Sequence, residues 1–289
     1  MTDVSVVGAG LSGALLGRRL AAQGLDVVLL DKGRGPGGRL SGRRHPTGRF
    51  QHGAPHLHLA PDEHDLVAEV ADWEASGVIV RAGDAWQSTP GNALVKWLLR
   101  DLDVRFGERV TALSQEGAGW TLRTSDEVVY EAGAVVLAIP APQAVALLGE
   151  HPLAHELAAV SYEPCWVGML RLAEPWSGNT TAVAVRESTG DGRSWAVHAT
   201  TAWSQAHLED APAEVVAALL DELPELRASQ VVEATAHRWR YAHVQSPLHG
   251  RFRWDAEARV GAVGDSFGRG AGAALGSAKA AALAIGGLR

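Results

Sequence analysis

The chain has 289 residues, of which 46% are hydrophobic and 20% charged, an ordinary balance for a folded protein with a sizeable core; collagen-like, coiled-coil and disordered classes are excluded. Thirty-three acidic against 26 basic residues give a formal net charge of −7 with no long basic run, so nothing forms an electrostatic footprint for nucleic acid. The single Cys165 cannot make an internal disulfide, residues 1–5 enter an apolar strand without a signal-peptide core, and the Gly/Ala-rich stretch 270–288 lacks the large side chains of a membrane span; a cytoplasmic protein with no nucleic-acid and no membrane partner is expected.

Residues 4–7 read as an apolar strand, 8–13 as a glycine-rich turn, 14–23 as a helix closed by Gly24, and 27–30 as a second strand: a βαβ unit with a right-handed crossover. Residues 33–38 hold four glycines and Pro36, a loop dominated by its backbone. Helices are expected at 61–76 and 91–102, then a three-strand meander at 109–115, 119–124 and 127–130, and a buried parallel strand at 134–139. Val/Trp/Thr-rich runs from 165 to 201 suggest antiparallel strands, followed by a helix at 212–223 and a strand at 230–240. A strand at 259–263, the turn Gly264-Asp265 and an Ala-rich helix complete the chain.

Gly8-Ala9-Gly10-Leu11-Ser12-Gly13 is a G-x-G-x-x-G directly after a strand and at the start of a helix, the context a dinucleotide site requires. Gly8 suits the tight turn, Gly10 lets a pyrophosphate approach the backbone, and Gly13 allows close helix packing. Asp31, at the end of the second strand, is placed to accept hydrogen bonds from an adenosine ribose. The hexamer alone does not separate NAD from FAD. Gly264-Asp265 does point to FAD, because a carboxylate here can bind the ribityl or pyrophosphate part and the following helix N-terminus suits the negative charge that collects at the flavin N1/C2 carbonyl.

The segment from Asp31 through Gly38-Arg39-Leu40 to Ser41 resembles the post-strand region of flavin-dependent amine oxidases, and is most similar to the renalase-like branch of bacterial NAD(P)/FAD-dependent oxidoreductases. Gln51-His52-Gly53-Ala54, Pro90-Gly91-Asn92-Ala93-Leu94, residues 138–143 and His237-Arg238-Trp239-Arg240-Tyr241-Ala242 carry the same resemblance along the chain. It implies that Arg39 supports the FAD pyrophosphate, that the backbone of Val110 recognises adenine, and that Lys32, Gly38, Leu40, Gly53, Ala54, Ala273 and Ala274 join the non-covalent cofactor site. Two features depart from the family pattern: Gln51 stands where an acid is common, and 271–277 lacks a Glu and reverses a Ser-Gly pair.

His52, His56 and His58 alternate, but Pro55 interrupts them and no Cys or carboxylate joins, so no metal is expected. His52 is instead a candidate to line the active site. Trp239, Tyr241 and His237 share one strand face and Arg238 and Arg240 the other; the aromatic residues serve either catalysis over a flavin or core packing, and an arginine is a candidate for substrate phosphates.

The expected fold is α/β: a Rossmann-type FAD-binding domain, three-layered with a parallel sheet plus β-meander (1–58, 91–145 and 240–289), with an inserted antiparallel-sheet α+β substrate domain (59–90 and 146–239). The expected activity is that of an FAD-dependent oxidase taking hydride from a reduced nicotinamide, with oxygen as acceptor. An amine oxidase or desaturase and a non-catalytic FAD sensor are the alternatives. Lysines occur only at 32, 96 and 279 and tyrosines only at 130, 162 and 241, so neither a lysine near the flavin nor a facing aromatic pair is evident for amine chemistry.

Overall fold

The computed structural model describes residues 1–289 apart from 47, 55, 60–64, 89, 178–183, 229 and 288–289, so the opening of the helix expected at 61–76 lies outside the described residues. The chain starts with β1 (Thr2–Val7), α1 (Leu11–Ala22), β2 (Val27–Asp31), β3 (Arg43–His45), β4 (Gly48–Phe50), α2 (Val67–Ala75), β5 (Val80–Ala82), β6 (Ala85–Gln87) and α3 (Ala93–Leu98). It continues with β7 (Asp103–Phe106), β8 (Val110–Glu116), β9 (Gly119–Thr124), β10 (Val129–Leu137), α4 (Ala141–Leu148), α5 (Pro152–Leu157) and β11 (Ser161–Leu172). The remainder is β12 (Ala184–Glu187), β13 (Ser194–His198), α6 (Thr201–Ala206), α7 (Pro212–Asp221), α8 (Pro224–Ala228), β14 (Val231–Ser246), β15 (Arg253–Asp255), β16 (Val260–Ala262) and α9 (Gly270–Ile285).

Two compact units result, one of Met1–Gly38, His56–Ser161 and Val244–Arg289, the other of Arg39–Pro55 and Tyr162–His243. Compactness thus groups the described part of 59–90 with the first unit, and 39–55 with the second.

In the first unit the strands run in the order β15-β16-β10-β1-β2-β7. β1 pairs in parallel with both β2 and β10, and Val4, Val6, Leu29, Leu30, Val135 and Val136 are buried. Apolar residues at consecutive positions suit strands covered on both faces, which is why these segments form a parallel sheet. The chain leaves β1 for β2 on one side and returns to β10 on the other; the carboxyl ends of β1 and β10 are therefore the switch point where such sheets bind ligands. β10 has two characters. Its first half is antiparallel to β9, closing the β8–β9 meander, and its second half is parallel to β1 and β16. The sequence reading split it at 130/134, but Gly133 continues the strand beside the Asp3 carbonyl, so one strand serves both sheet types.

In the second unit a sheet of order β12-β13-β11-β14 has β13 antiparallel to β11 and β12, and β3 and β4 form a hairpin. One sheet face packs on α7 through Trp166, Leu170, Val197, Val215 and Leu219. Val215 and Leu219 are one helical turn apart and fully buried, each burial being worth about 1.5–3 kcal/mol. Cys165, Val167, Ala196 and Trp239 cluster separately. The short helices α4, α5 and α6 and the hairpin β3–β4 are absent from the sequence reading; each is too brief to show a period, and α4 and α5 announce themselves only by a proline in the first turn.

Candidate functional site

The first unit builds a cradle at the carboxyl end of β1. Gly8 has φ +104°, and a Cβ there would lie 2.6 Å from the Ala138 carbonyl oxygen; one on Gly13 would lie 1.9 Å from the Gly8 oxygen. These two glycines are demanded by the fold itself. Gly10 is different: a Cβ would meet nothing nearer than the Gly38 Cα at 4.0 Å. The glycine there leaves space over α1, whose N-terminus has no side-chain cap and no acid in its first turn. Open space before uncapped N–H groups is the shape a pyrophosphate fills.

Asp31 closes the next side. Its carboxylate accepts the Ala9 N–H at 2.7 Å and the Gly33 N–H at 2.6 Å, which couples the glycine loop to the end of β2 and leaves a further lone pair on each oxygen. Gly107 N–H donates to the Gly33 carbonyl at 2.9 Å, so the segment before Val110 is tied to the same turn. Val110 opens β8 next to a bulge. Lys32 donates to Gln143 Oε1 at 3.2 Å, and burial, followed by the nearby Arg109 guanidinium, lowers its pKa.

The Gly264-Asp265 turn joins this cradle. Gly264 has φ +127°, its N–H donates to Ser277 Oγ at 2.9 Å, and a Cβ on it would be 3.7 Å from Ser12 Oγ. Ser12 Oγ in turn donates to the Ala274 carbonyl at 3.0 Å. Asp265 is buried within a 3-10 turn, and Ala273 is buried in the first turns of α9. Gly8 to Gly13, Gly38, Asp31, Lys32, Gly264, Asp265, Ala273 and Ala274 therefore all belong to this unit, and they fit a dinucleotide.

The second unit holds the remaining candidates. Arg39 Nη1 donates to the carbonyls of Tyr241 (3.2 Å) and Ala242 (3.4 Å), and Leu40 is buried. Gly53 N–H donates to Ser41 O and Ala54 N–H to Arg39 O, a backbone clasp so close that a Cβ on Gly53 would lie 2.4 Å from the Arg39 oxygen. That clasp presents His52 to β14. Trp239 Nε1–H donates to the His52 carbonyl at 2.8 Å, the two rings stack at 5.3 Å, and His237 stands edge-on to both at 4.8 and 4.3 Å. His52 is 7% exposed, and its Nδ1 has no hydrogen-bond partner among the described residues. Burial, then His237 and Arg43, push its pKa down to about 3; burial and Arg43 also lower that of His237. Both imidazoles are neutral at pH 7.

The alternation along β14 follows the sequence reading, with different consequences for its two faces. Arg238 and Arg240 are both held by Glu209, Arg240 through two bonds of 2.7 and 2.8 Å, which removes the expectation that either waits for a substrate phosphate. Tyr241 meets Tyr162 at 5.6 Å and 67°, an aromatic pair the sequence reading did not find because the partners lie on strands about 80 residues apart. Arg43 and His198, which act electrostatically on His52, were missed for the same reason. His56 and His58 belong to the first unit, where Gly272 N–H donates to the His58 carbonyl. Among the described residues no group of three or more His, Cys, Asp or Glu side chains is placed to hold a metal, and no helix is long and apolar enough to cross a membrane.

Residues 6–72 match the model of an NAD(P)-binding Rossmann-like domain, and residues 76–283 that of flavin containing amine oxidoreductase. The bifunctional tRNA 5-methylaminomethyl-2-thiouridine biosynthesis protein of Albidiferax ferrireducens is 28% identical over 177 residues, 51% of this chain and 28% of that protein. Among solved structures, one from Exiguobacterium sp. 255-15 described as a protoporphyrinogen oxidase has a TM-score of 0.72 at 12% identity, covering 99% of this chain and 98% of its own. The cyclohexylamine oxidase of Brevibacterium oxydans IH-35A has a TM-score of 0.66 at 12% identity with the same coverage. These structural likenesses concern the fold.

Proposed function

We propose a specific reaction for a chain that belongs to the flavin containing amine oxidoreductase family and is a flavin-dependent oxidoreductase: renalase-like oxidation of isomeric dihydropyridine forms of NAD(P)H, with FAD as cofactor and oxygen as electron acceptor, giving hydrogen peroxide. FAD, when bound, supplies hydride acceptance and the return of two electrons to oxygen.

The chain's own residues hold and orient. The Gly10 space and the α1 N-terminus would receive the pyrophosphate, Asp31 the ribose hydroxyls, the Val110 backbone the adenine, and Asp265 the ribityl chain, with Lys32, Gly38, Ala273 and Ala274 around them. Arg39, Leu40, Gly53 and Ala54 are further cofactor ligands on the resemblance alone. Non-covalent attachment is part of this reading: the Cys165 thiol is buried and burial pushes its pKa up to about 11, which disfavours a cysteinyl–flavin bond.

The observation that carries the substrate reading is the His52–His237–Trp239 cluster: a buried His52 against half-buried His237 and Trp239, both histidines held uncharged, and no lysine or carboxylate among their ring contacts in the described residues. Such a surface suits a flat neutral ring stacked on Trp239 and offers nothing to pair with an ammonium. A dihydropyridine needs orientation and exclusion of water, and no base, because its ring nitrogen already pushes electron density toward the departing hydride. His52, Trp239 and Tyr241 would hold that ring.

The Tyr162–Tyr241 pair favours a second reading, an amine oxidase, since two aromatic faces can hold an alkylamine. Anaerobic stopped-flow bleaching of the flavin separates the two: dihydronicotinamide isomers are expected to react faster than primary or secondary amines at equal concentration. Fast reduction by an amine with silence toward every dihydropyridine installs the second reading; retained flavin that no donor reduces indicates a sensor.

A further inference from the structure

Along β14, residues 233, 235, 237, 239 and 241 fall on one face, because side chains alternate at every step. The row does not end at His237. Before it along the strand, Thr235 at roughly 7 Å and Glu233 at roughly 13 Å wall a cleft of about 330 Å³ whose other walls are Arg43, Arg44 and Phe50 of the β3–β4 hairpin. That volume lies at the small end of the ~300–1,000 Å³ range of ligand clefts.

The charges of this cleft are unbalanced. Arg44 stands directly opposite Arg49 in the hairpin register, a like-charge cross-strand pair that costs stability in the free protein. Burial and Arg44 together lower the Arg49 pKa, and Arg43 acts on His52 and His237 in the same sense. Two guanidiniums, those of Arg43 and Arg44, thus line the cleft with one carboxylate, that of Glu233. Arg43 and Arg44 are exposed side chains at the cleft, with no ion pair recorded for either among the described residues. A phosphoryl group would relieve the repulsion, since guanidiniums pair with phosphate oxygens through two parallel bonds, and Thr235 can add a hydroxyl donor. Phe50 gives a flat apolar wall beside it.

We propose that the Arg43–Arg44–Thr235 cleft is a phosphate-recognition site that holds the pyrophosphate of a dinucleotide substrate while its ring lies at His237 and Trp239. The proposal rests on the dihydro-NAD(P) reading and deepens it: the substrate is recognised as an anion, through arginines other than the Arg238 and Arg240 that Glu209 holds.

The test uses the FAD-loaded protein, with Arg43→Gln, Arg44→Gln, the double variant and Thr235→Val. ADP-ribose binding is followed by calorimetry, which needs no turnover, and flavin bleaching is followed with a dihydronicotinamide dinucleotide and with a phosphate-free N-alkyl dihydronicotinamide. Each arginine variant is expected to bind ADP-ribose and the dinucleotide about tenfold to a hundredfold more weakly. Thr235→Val should lose several-fold, and Arg44→Gln and Thr235→Val should treat the phosphate-free donor as wild type does, which also shows that these two variants are folded. Wild-type affinity for ADP-ribose in the double variant, or no binding by wild type, overturns the site. If wild type binds ADP-ribose through these arginines yet no dihydropyridine bleaches the flavin, the reaction proposed above fails and the phosphate site stands.

Discussion

The glycine cradle of the first unit and the histidine–tryptophan face of the second are built from opposite materials. In the cradle, 8–13, 31–33 and 264–274 act through backbone N–H groups, carbonyls and missing side chains; Asp31 itself is occupied with two amide hydrogens. On β14 the backbone is a scaffold, and the rings of His52, His237 and Trp239 define the surface. The difference teaches that binding a common cofactor and choosing a substrate place separate demands on a chain. A cradle tolerates almost no change in shape, whereas a side-chain face can be altered one ring at a time.

The largest effect expected is at Gly13. A valine would drive its Cβ into the Gly8 carbonyl, 1.9 Å away, and should cost about 3 kcal/mol or more, seen as lost soluble protein or a collapsed melting temperature. Gly10→Ala, with 4.0 Å of clearance, should stay within about 1 kcal/mol of wild type in the flavin-free protein and yet lose flavin. If both substitutions unfold the chain equally, the cradle is structural throughout and the division between fold glycines and ligand glycine is broken.

Next come the carboxylates. Asp31→Ala strands the Ala9 and Gly33 amides and should weaken flavin retention about tenfold to a hundredfold, with about 1.5–3 kcal/mol of stability lost as well. Asp265→Ala should weaken retention by a similar factor; fluorescence titration of apoprotein measures both, and unchanged affinity in the two variants sinks the cofactor assignment.

The opposite pattern sharpens the comparison on β14. Trp239→Phe removes the donor to the His52 carbonyl and should cost only about 1 kcal/mol, leaving flavin content intact while slowing anaerobic bleaching. Loss of flavin with unchanged bleaching of the remainder would reverse the roles given to the two regions.

The last effect, absent at neutral pH, is on pH dependence. His52 titrates near its ordinary 6.5 when unfolded and at about 3 when folded, so the unfolded chain binds the extra proton across that window. The stability of keeping this ring neutral is complete above pH 6.5 and drains away as pH falls toward 3. His52→Gln should flatten the slope of melting temperature against pH in this range; an unchanged slope shows that other groups govern it.

Reading Gly8 to Gly13, Asp31 and Gly264-Asp265 in the sequence sufficed to place the turns that follow β1, β2 and β16, since each lies within a few residues of the strand or helix that positions it. The second region was legible only in part. Alternation assigned His237, Trp239 and Tyr241 to one face of β14, but not their neighbours, because Tyr162, Arg43 and His52 come from strands and loops remote in the chain. Arg238 and Arg240 illustrate the same limit: their face was readable, their capture by Glu209 was not.

By itself, then, the sequence determined what short-range sterics and period dictate: the parallel sheet, the glycine turns and the carboxylate after β2; the flavin class came from the resemblance of whole segments to a family. Tertiary structure alone decided that β10 joins two sheet types, that Gly10 stands before open space while Gly8 and Gly13 do not, and that neutral histidines, a tyrosine pair and the hairpin arginines meet along β14. The physical reason is separation along the chain. A turn or a strand is decided by neighbours a few residues away, but burial and charge at a site are set by every element packed against it, and only the folded chain states which those are.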